Sequence, residues 1–428
     1  MSRRRVWITG IGVISPIGSG RDAFWAGVRR GVSPVRRIDR FDPAPFRSQV
    51  AAQVDDFDPL DHMDAKTARQ LDRFSQFGLV AGRMALADAG LADAGDGDSG
   101  AVAGDGLDRE RFGIYLGSAL GGIAYAEHQH ERFVARGIRS VAPNLALAVF
   151  GGAAPANLGI ALGLRGPILS TANSCASGAV ALGEAFRAIR DGTVDATIAG
   201  GAEVPLSPLA FGAFDIIRAL SSGSNETPEA AARPFDAGRD GFVMGEGVGL
   251  LVLEAEDVAR SRGAQPYAEL LGYGATSDAH HMVQPRADGR DAARAIRLAL
   301  EDAAVQPDAI DYVNAHASST PLGDVAEARA IASALDGRAT AVPVSGTKAL
   351  YGHPLGASSG LEAAICSLAI RDGWAPGTAN LASIDPQIGA LLPGLLREGR
   401  AGTYDRVLST SFGFGGLNAA LVFGAVRN

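Results

Sequence analysis

The chain has 428 residues, enough for a large core and for two domains or two fused repeats. Its formal charge of −8 argues against a nucleic-acid binder. Its two cysteines, Cys175 and Cys366, give neither a metal spacing nor a disulfide framework, which fits a reducing, cytoplasmic compartment.

No run of about 18 apolar residues appears, so no membrane span is expected. The basic start Met1 to Arg5 leads into Val6-Trp-Ile-Thr-Gly10, too short for a signal segment, which reads as a first strand. It enters Gly10-Ile-Gly-Val-Ile-Ser-Pro-Ile-Gly18. Ser15 and Pro16 spoil a dinucleotide fingerprint there, so these glycines read as tight turns and close backbone contacts. Asp61 to Leu91 has a helical pattern that places Lys66, Arg69 and Arg73 on one face, which by itself reads as a solvated face. Ala92 to Asp108, rich in Gly, Asp and Ala, reads as a loop or insertion. Ile114 to Ser118 is a strand opening into Ala119-Leu-Gly-Gly122.

Ile168 to Thr171 reads as a short buried strand, and a helix follows from about Ala176 to Arg190. Cys175 therefore falls where a strand turns into a helix, a position that favours a thiolate. Ala196 to Ala199 is the next strand, ending in Gly200-Gly-Ala-Glu203. A polar loop, Ser221 to Arg233, precedes the turn-rich Pro234 to Gly247, in which Arg239 and Asp240 are candidates to pair with each other. Gly249 to Leu253 is a strand.

The pattern restarts at Tyr267. It gives a strand Ala268 to Tyr273, a loop with His280 and His281, a helix Asp291 to Ala304 and a strand Tyr312 to Ala315. A helix Asp324 to Leu335, a strand Val342 to Val344 and a small-residue helix Ala357 to Ile370 follow. The last strands are Val407 to Thr410 and Ala419 to Phe423. This double alternation predicts two similar α/β halves with mainly parallel sheets, 1–260 and 261–428, joined near residues 255 to 267.

His316, Lys348 and His353 fall at strand ends or in glycine-rich loops, where ligands gather in α/β sheets. A cysteine, two histidines and a lysine suit thioester chemistry. The thiolate takes an acyl group, and neutral imidazole N–H groups donate to an oxygen gaining enolate charge. The ammonium keeps a histidine neutral.

Five stretches carry a resemblance: Ser174-Cys-Ala-Ser-Gly178, Pro234-Phe-Asp to Gly-Glu-Gly247, Val313-Asn-Ala-His to Pro321, Gly346-Thr-Lys to Gly-His353, and Ser411-Phe-Gly-Phe-Gly-Gly416. Over essentially its whole length the chain resembles the elongating β-ketoacyl-acyl-carrier-protein synthases, condensing enzymes of the thiolase superfamily, most of all synthase II. The resemblance implies a thiolase-like fold whose halves form a layered α-β-α-β-α core.

It also implies that Cys175 accepts the acyl group and that His316 and His353 promote malonyl decarboxylation with Lys348 in support. Glu327 and Asp324 would stand behind them. Phe414 would gate the pocket and share the oxyanion hole with Cys175. Ser318 and Thr320 would hold the phosphopantetheine arm, and Leu120, Ala210 and Phe214 would line the acyl pocket. Lys66, Arg69 and Arg218 would dock the acidic acyl carrier protein. A homodimer with the strand before Cys175 near its axis is implied, and no redox cofactor or metal.

Two departures stand out. Ala317-Ser318 replaces the family's Gly-Thr after the first histidine, and Asn173-Ser174 replaces a small pair before the cysteine. The same constellation also serves the ketosynthase subunit of type II polyketide systems, which would pair with a chain-length factor. The Phe412 to Gly416 loop favours the fatty-acid enzymes. A thiolase fits less well, because Cys366 falls in a predicted helix, and a chalcone-synthase-like enzyme needs Asn where His353 stands.

Overall fold

Among the described residues, the ten longer strands of the main sheet form two sets of five. The first set is β1 (Val6–Ser15), β2 (Phe112–Gly117), β3 (Ile168–Thr171), β4 (Ala196–Glu203) and β5 (Gly247–Ala255). The second is β6 (Ala268–Ser277), β7 (Tyr312–Ala315), β8 (Val344–Gly346), β9 (Arg406–Gly413) and β10 (Leu417–Gly424). This computed structural model describes residues 3–91, 108–337 and 341–427, so nearly all of the stretch expected to be an insertion lies outside the described residues.

The strand orders are β3-β2-β4-β5-β1 and β8-β7-β9-β10-β6, the same order twice, and β1 pairs with β6 where the sets meet. In each set the two pairings nearest the outer edge are parallel and the two nearest the join are antiparallel. The two halves are thus alike, but their sheets are mixed rather than mainly parallel. The hairpin β9–β10 alone requires an antiparallel pair.

Among the helices of the described residues, those that bear on the site are α1 (Ala65–Gln70), α2 (Arg73–Asp88), α3 (Ile123–Arg136), α4 (Ala153–Leu162), α5 (Ser177–Arg190), α6 (Pro208–Ile216), α7 (Arg290–Asp302), α8 (Pro321–Ala334) and α9 (Ser358–Asp372). Helices α5 and α9 share one apolar core between the sheets, where Leu182, Phe186 and Ile189 meet Leu361, Ile365 and Leu368. Helices α2 and α4 cover the first sheet's other face, and α7 and α8 cover the second's. The result is α-β-α-β-α.

Close packing of the middle layer needs small residues. A Cβ on Gly117 would lie 2.3 Å from the Ser177 carbonyl carbon, and one on Gly249 would lie 2.3 Å from that of Gly360. This is the thiolase-like fold that the resemblance implies.

Several sequence expectations need correction. Gly10 and Gly12 lie inside β1, where α2 crosses so closely that a Cβ would meet the carbonyl oxygens of Ala85 and Ala81 at 2.2 and 1.9 Å; they make no turn. The helix expected from Asp61 to Leu91 breaks at Leu71-Asp72. Asp72 leaves helical geometry and caps α2 by accepting from the Phe74 N–H. Lys66 and Arg69 stay exposed on α1, whereas Arg73 turns inward onto Phe57 and Phe77.

Strand β8 begins two residues later than expected. Arg239 and Asp240 do not pair: Arg239 binds Asp385 at 2.8 Å, and Asp240 accepts from Ser221 and from the N–H groups of Ser222 and Gly223. Strand β3 is an edge strand, and in the single chain Ile168 and Leu169 are each 41 % exposed rather than buried.

Candidate active site

The two halves bring matching turns together. Residues 174–176 form a 3-10 turn entering α5, and residues 355–357 form one entering α9. Each turn opens on a residue at positive φ, Ser174 at 53° and Leu355 at 38°. Cys175 sits mid-turn in the first, and Gly356 takes the equivalent place in the second. The loop before the second turn carries His353, whose N–H donates to the Val243 carbonyl at 2.7 Å.

The catalytic distances follow from this meeting. His353 Nε2 is 3.1 Å from Cys175 Sγ, and its Nδ1 is 2.8 Å from the Ser358 hydroxyl. When Ser358 donates to Nδ1, the imidazole proton is on Nε2, facing the thiol. The His316 ring lies edge-on to His353, with centroids 5.3 Å apart. Burial, and after it the charge of Lys348, pushes both histidines well below their ordinary value. They are therefore neutral donors at physiological pH.

Lys348 stands behind this pair, with its ammonium bonded to the His316 carbonyl and to Glu362 on α9. Glu362 has no counterpart among the residues read from the sequence. Its signal was available: it is the lone charge among the fully buried residues from Ser358 to Ala369. Burial pushes its carboxyl up to about 7 despite the lysine.

Glu327 fixes the strand end that carries His316. It accepts from the N–H groups of His316 and Ala317, at 2.8 and 2.7 Å, and from the Thr410 hydroxyl at 2.7 Å. Asp324 accepts from the N–H groups of Phe235 and Ser319 and lies 3.5 Å from Arg239. The loop they hold is strained, with Ala317 at φ 42° and Ser319 at 71°. This left-handed region favours glycine, so the alanine at 317 is a substitution with a backbone cost.

The expectation of a ready thiolate does not hold. Burial pushes the Cys175 thiol up to about 11, against the Ser174 hydroxyl, the Lys348 charge and the Phe414 N–H. Ser174, one of the two unusual residues before the cysteine, thus places its hydroxyl 3.8 Å from Sγ. The resting pair is thiol and neutral imidazole. Alkylation of Cys175 by iodoacetamide should therefore climb about tenfold per pH unit and pass the ordinary thiol value of 9.0 without a plateau. Peptide mapping separates this signal from Cys366, which is buried in α9.

A cavity of about 340 Å³ opens on these groups, lined by Cys175, His316, His353, Ser318, Thr320, Phe214, Phe414 and Arg218, among others. Ser318 and Thr320 bond each other at 3.0 Å, and Thr320 also caps α8. Phe414 stacks on Phe214 at 6.1 Å. Leu120 lies outside the cavity lining but packs in the apolar cluster that includes Cys175. Ala210 belongs to neither; it sits in the first turn of α6, where its N–H donates to Glu127. Arg218 stands at the cavity, while Lys66 and Arg69 lie away from it on α1. No cluster of three metal-ligating side chains occurs among the described residues.

A buried thiol faced by two neutral histidines, with a lysine behind them on a duplicated five-layer fold, defines a condensing acyltransferase of the thiolase type. The comparisons agree. Family models for the β-ketoacyl synthase N-terminal and C-terminal domains match residues 3–259 and 267–382, and the chain belongs to that family.

Among its relatives are proteins named 3-oxoacyl-[acyl-carrier-protein] synthase 2. That of Staphylococcus aureus strain N315 is 39 % identical over 98 % of both chains, and that of Coxiella burnetii is 39 % identical over 100 % of both. Among solved structures, the ishigamide ketosynthase/chain length factor matches with a TM-score of 0.90 at 33 % identity over 100 % of both chains. A β-ketoacyl synthase from Burkholderia phymatum matches at 0.88 and 36 %, over 99 % of this chain and 100 % of that one.

Proposed function

We propose that this chain performs the decarboxylating condensation that lengthens acyl chains on acyl carrier protein in fatty acid elongation. The observation that carries the reading is the 3.1 Å approach of His353 Nε2 to Cys175 Sγ, with His316 beside it, on one cavity. In the first stage Cys175 attacks an acyl thioester; its carbonyl–sulfur bond breaks, and the thiol proton leaves with the carrier's sulfur. The N–H groups of Cys175 and Phe414 hold the tetrahedral oxyanion.

In the second stage malonyl-carrier protein enters. The bond to its carboxylate breaks, carbon dioxide departs, and the electron pair forms an enolate whose oxygen accepts from His316 and His353. The enolate carbon attacks the acyl-Cys175 carbonyl. Cys175 leaves as thiolate and takes a proton, and 3-oxoacyl-carrier protein is released. This scheme calls on no redox cofactor or metal.

Ser318 and Thr320 hold the pantetheine arm, Arg218 meets the carrier protein at the cavity, and Lys66 and Arg69 extend that contact. Leu120 and Phe214 limit the acyl chain, whereas Ala210 lies outside that wall. We place the division between the halves at 260/261.

The test is intact mass after incubation with acyl-carrier proteins of graded chain length, with Cys175→Ala as control. An adduct on the wild type alone is expected; no adduct at any length would sink the reading. The lengths that load separate fatty-acid use from a polyketide ketosynthase, a reading that the ketosynthase/chain length factor structures among the neighbours keep alive.

The exposed edge strand β3 supports a homodimer. Ile168 and Leu169, with Ile160 on the adjacent α4 81 % exposed, leave an apolar edge with unpaired backbone groups. Leu169→Asp should convert dimer to monomer in sedimentation, and an unchanged mass would exclude this strand as the interface. A chain-length factor is the alternative occupant of the same edge.

A further inference from the structure

Glu203 ends β4 fully buried, and the reaction scheme gives it no part. Its carboxylate accepts four bonds. Oε1 takes the Ser118 hydroxyl at 2.9 Å and the Leu120 N–H at 3.1 Å; Oε2 takes the Ala119 N–H at 2.5 Å and the Gly356 N–H at 3.1 Å. Ser118 in turn accepts from the Gly121 N–H at 2.9 Å. One side chain thus ties the turn bearing Leu120 to the turn that mirrors Cys175 across the two halves. Those turns place Leu120 and Leu355 in the apolar cluster around Cys175.

From the same turn α3 begins, and its Glu127 caps α6, accepting from the Ser207 hydroxyl and from the N–H groups of Leu209 and Ala210. Helix α6 brings Phe211 and Phe214 to the cluster. The walls facing the acyl chain therefore hang from Glu203.

We propose that Glu203 is a positioning residue for chain-length selection: its carboxylate sets the spacing between the Leu120 turn and the Leu355 turn, and with it the acyl length that fits beside Cys175. This rests on the reading of Cys175 as the acyl acceptor. The selection is of hydrocarbon chains, because Leu120, Phe211, Phe214 and Leu355 in that cluster are apolar.

Glutamine is the informative replacement. All four partners are donors, so the amide nitrogen of Glu203→Gln meets N–H or O–H groups head-on whichever way it turns, and one wall is released. Glu203→Asp keeps both acceptor oxygens and should recover part of the wild-type behaviour. Leu120→Ala removes bulk from the same apolar wall and serves as the comparator.

The experiment measures kcat/KM for Cys175 loading from acyl-carrier proteins with short, medium and long chains, on folded protein. Glu203→Gln is expected to shift the ratio between longest and best chain by at least about tenfold, the scale of a methylene-sized change in an apolar pocket. The shift should run in the same direction as for Leu120→Ala, and the double variant should shift little further. A fall that is equal at every chain length, or no change, overturns the proposal. If Glu203→Gln does not fold, Glu203→Asp and Ser118→Ala give the same readout. Loading absent from the wild type at every length would instead defeat the acyl-acceptor reading itself.

Discussion

Replacing His316 by alanine should leave acyl loading of Cys175 within a few-fold of wild type and cut condensation about 10³-fold, the cost of a lost oxyanion donor. His353→Ala should impair both stages. The difference lies in the geometry: His353 Nε2 touches Sγ at 3.1 Å, whereas His316 lies edge-on to the His353 ring and lines the same cavity. Loading asks only for passage of the thiol proton and for the N–H groups at Cys175 and Phe414. In the proposed scheme decarboxylation needs a pair of donors on one enolate oxygen, and both histidines would serve there.

Their depressed proton affinity matters to this step. A cationic imidazole would surrender its proton to the enolate and quench it, whereas a neutral N–H donates and keeps its proton. The check is single-turnover loading by intact mass, set beside carbon dioxide release from malonyl-carrier protein. If His316→Ala slows loading as much as His353→Ala does, the division of labour is wrong.

The sequence carries the ends of the strands and the chemistry placed on them, because apolar runs bounded by glycine are local signals. Cys175, His316, Lys348 and His353 were visible as reactive residues at such ends, and the structure brings all four together. The duplication was visible as a repeated alternation, but strand sense was not, since parallel and antiparallel neighbours on a buried sheet look alike in one chain. Glycines inside β1 resemble turns, because their cause is α2 lying across them, a contact between residues some 70 positions apart.

The thiol's raised proton affinity was equally hidden. A helix start is local and favours the thiolate, but the burial that wins is assembled from both halves. Glu362 and Glu203 were missed for a related reason: a buried acid has meaning only through its partners, and those come from distant stretches.

Lys348→Met is the second large effect expected, and here stability and activity should separate. Lys348 and Glu362 form an ion pair with side chains 2 % and 0 % exposed, and the ammonium also supports the His316 carbonyl. Removing one partner leaves a buried carboxyl without a counter-charge and should destabilise the fold by about 3 kcal/mol. Glu362 already holds its proton up to about 7, above the ordinary 4.5; without the lysine it rises further. A folded value raised above the unfolded one means that stability is present below the unfolded value and is lost as pH rises toward the folded one. The deficit of Lys348→Met should therefore be small in acid and grow through neutral pH.

Adding Glu362→Leu removes the stranded charge, and the double variant should regain most of the lost stability, since apolar replacement of a buried pair is often neutral or better. It should not regain condensation. The positive charge that helps keep His316 and His353 neutral is gone, and so is the donor on the His316 carbonyl, while the leucine supplies neither. Denaturant midpoints across pH report the first effect and condensation assays the second. Activity returning together with stability would mean that Lys348 serves only to neutralise Glu362, with no direct hold on the histidines.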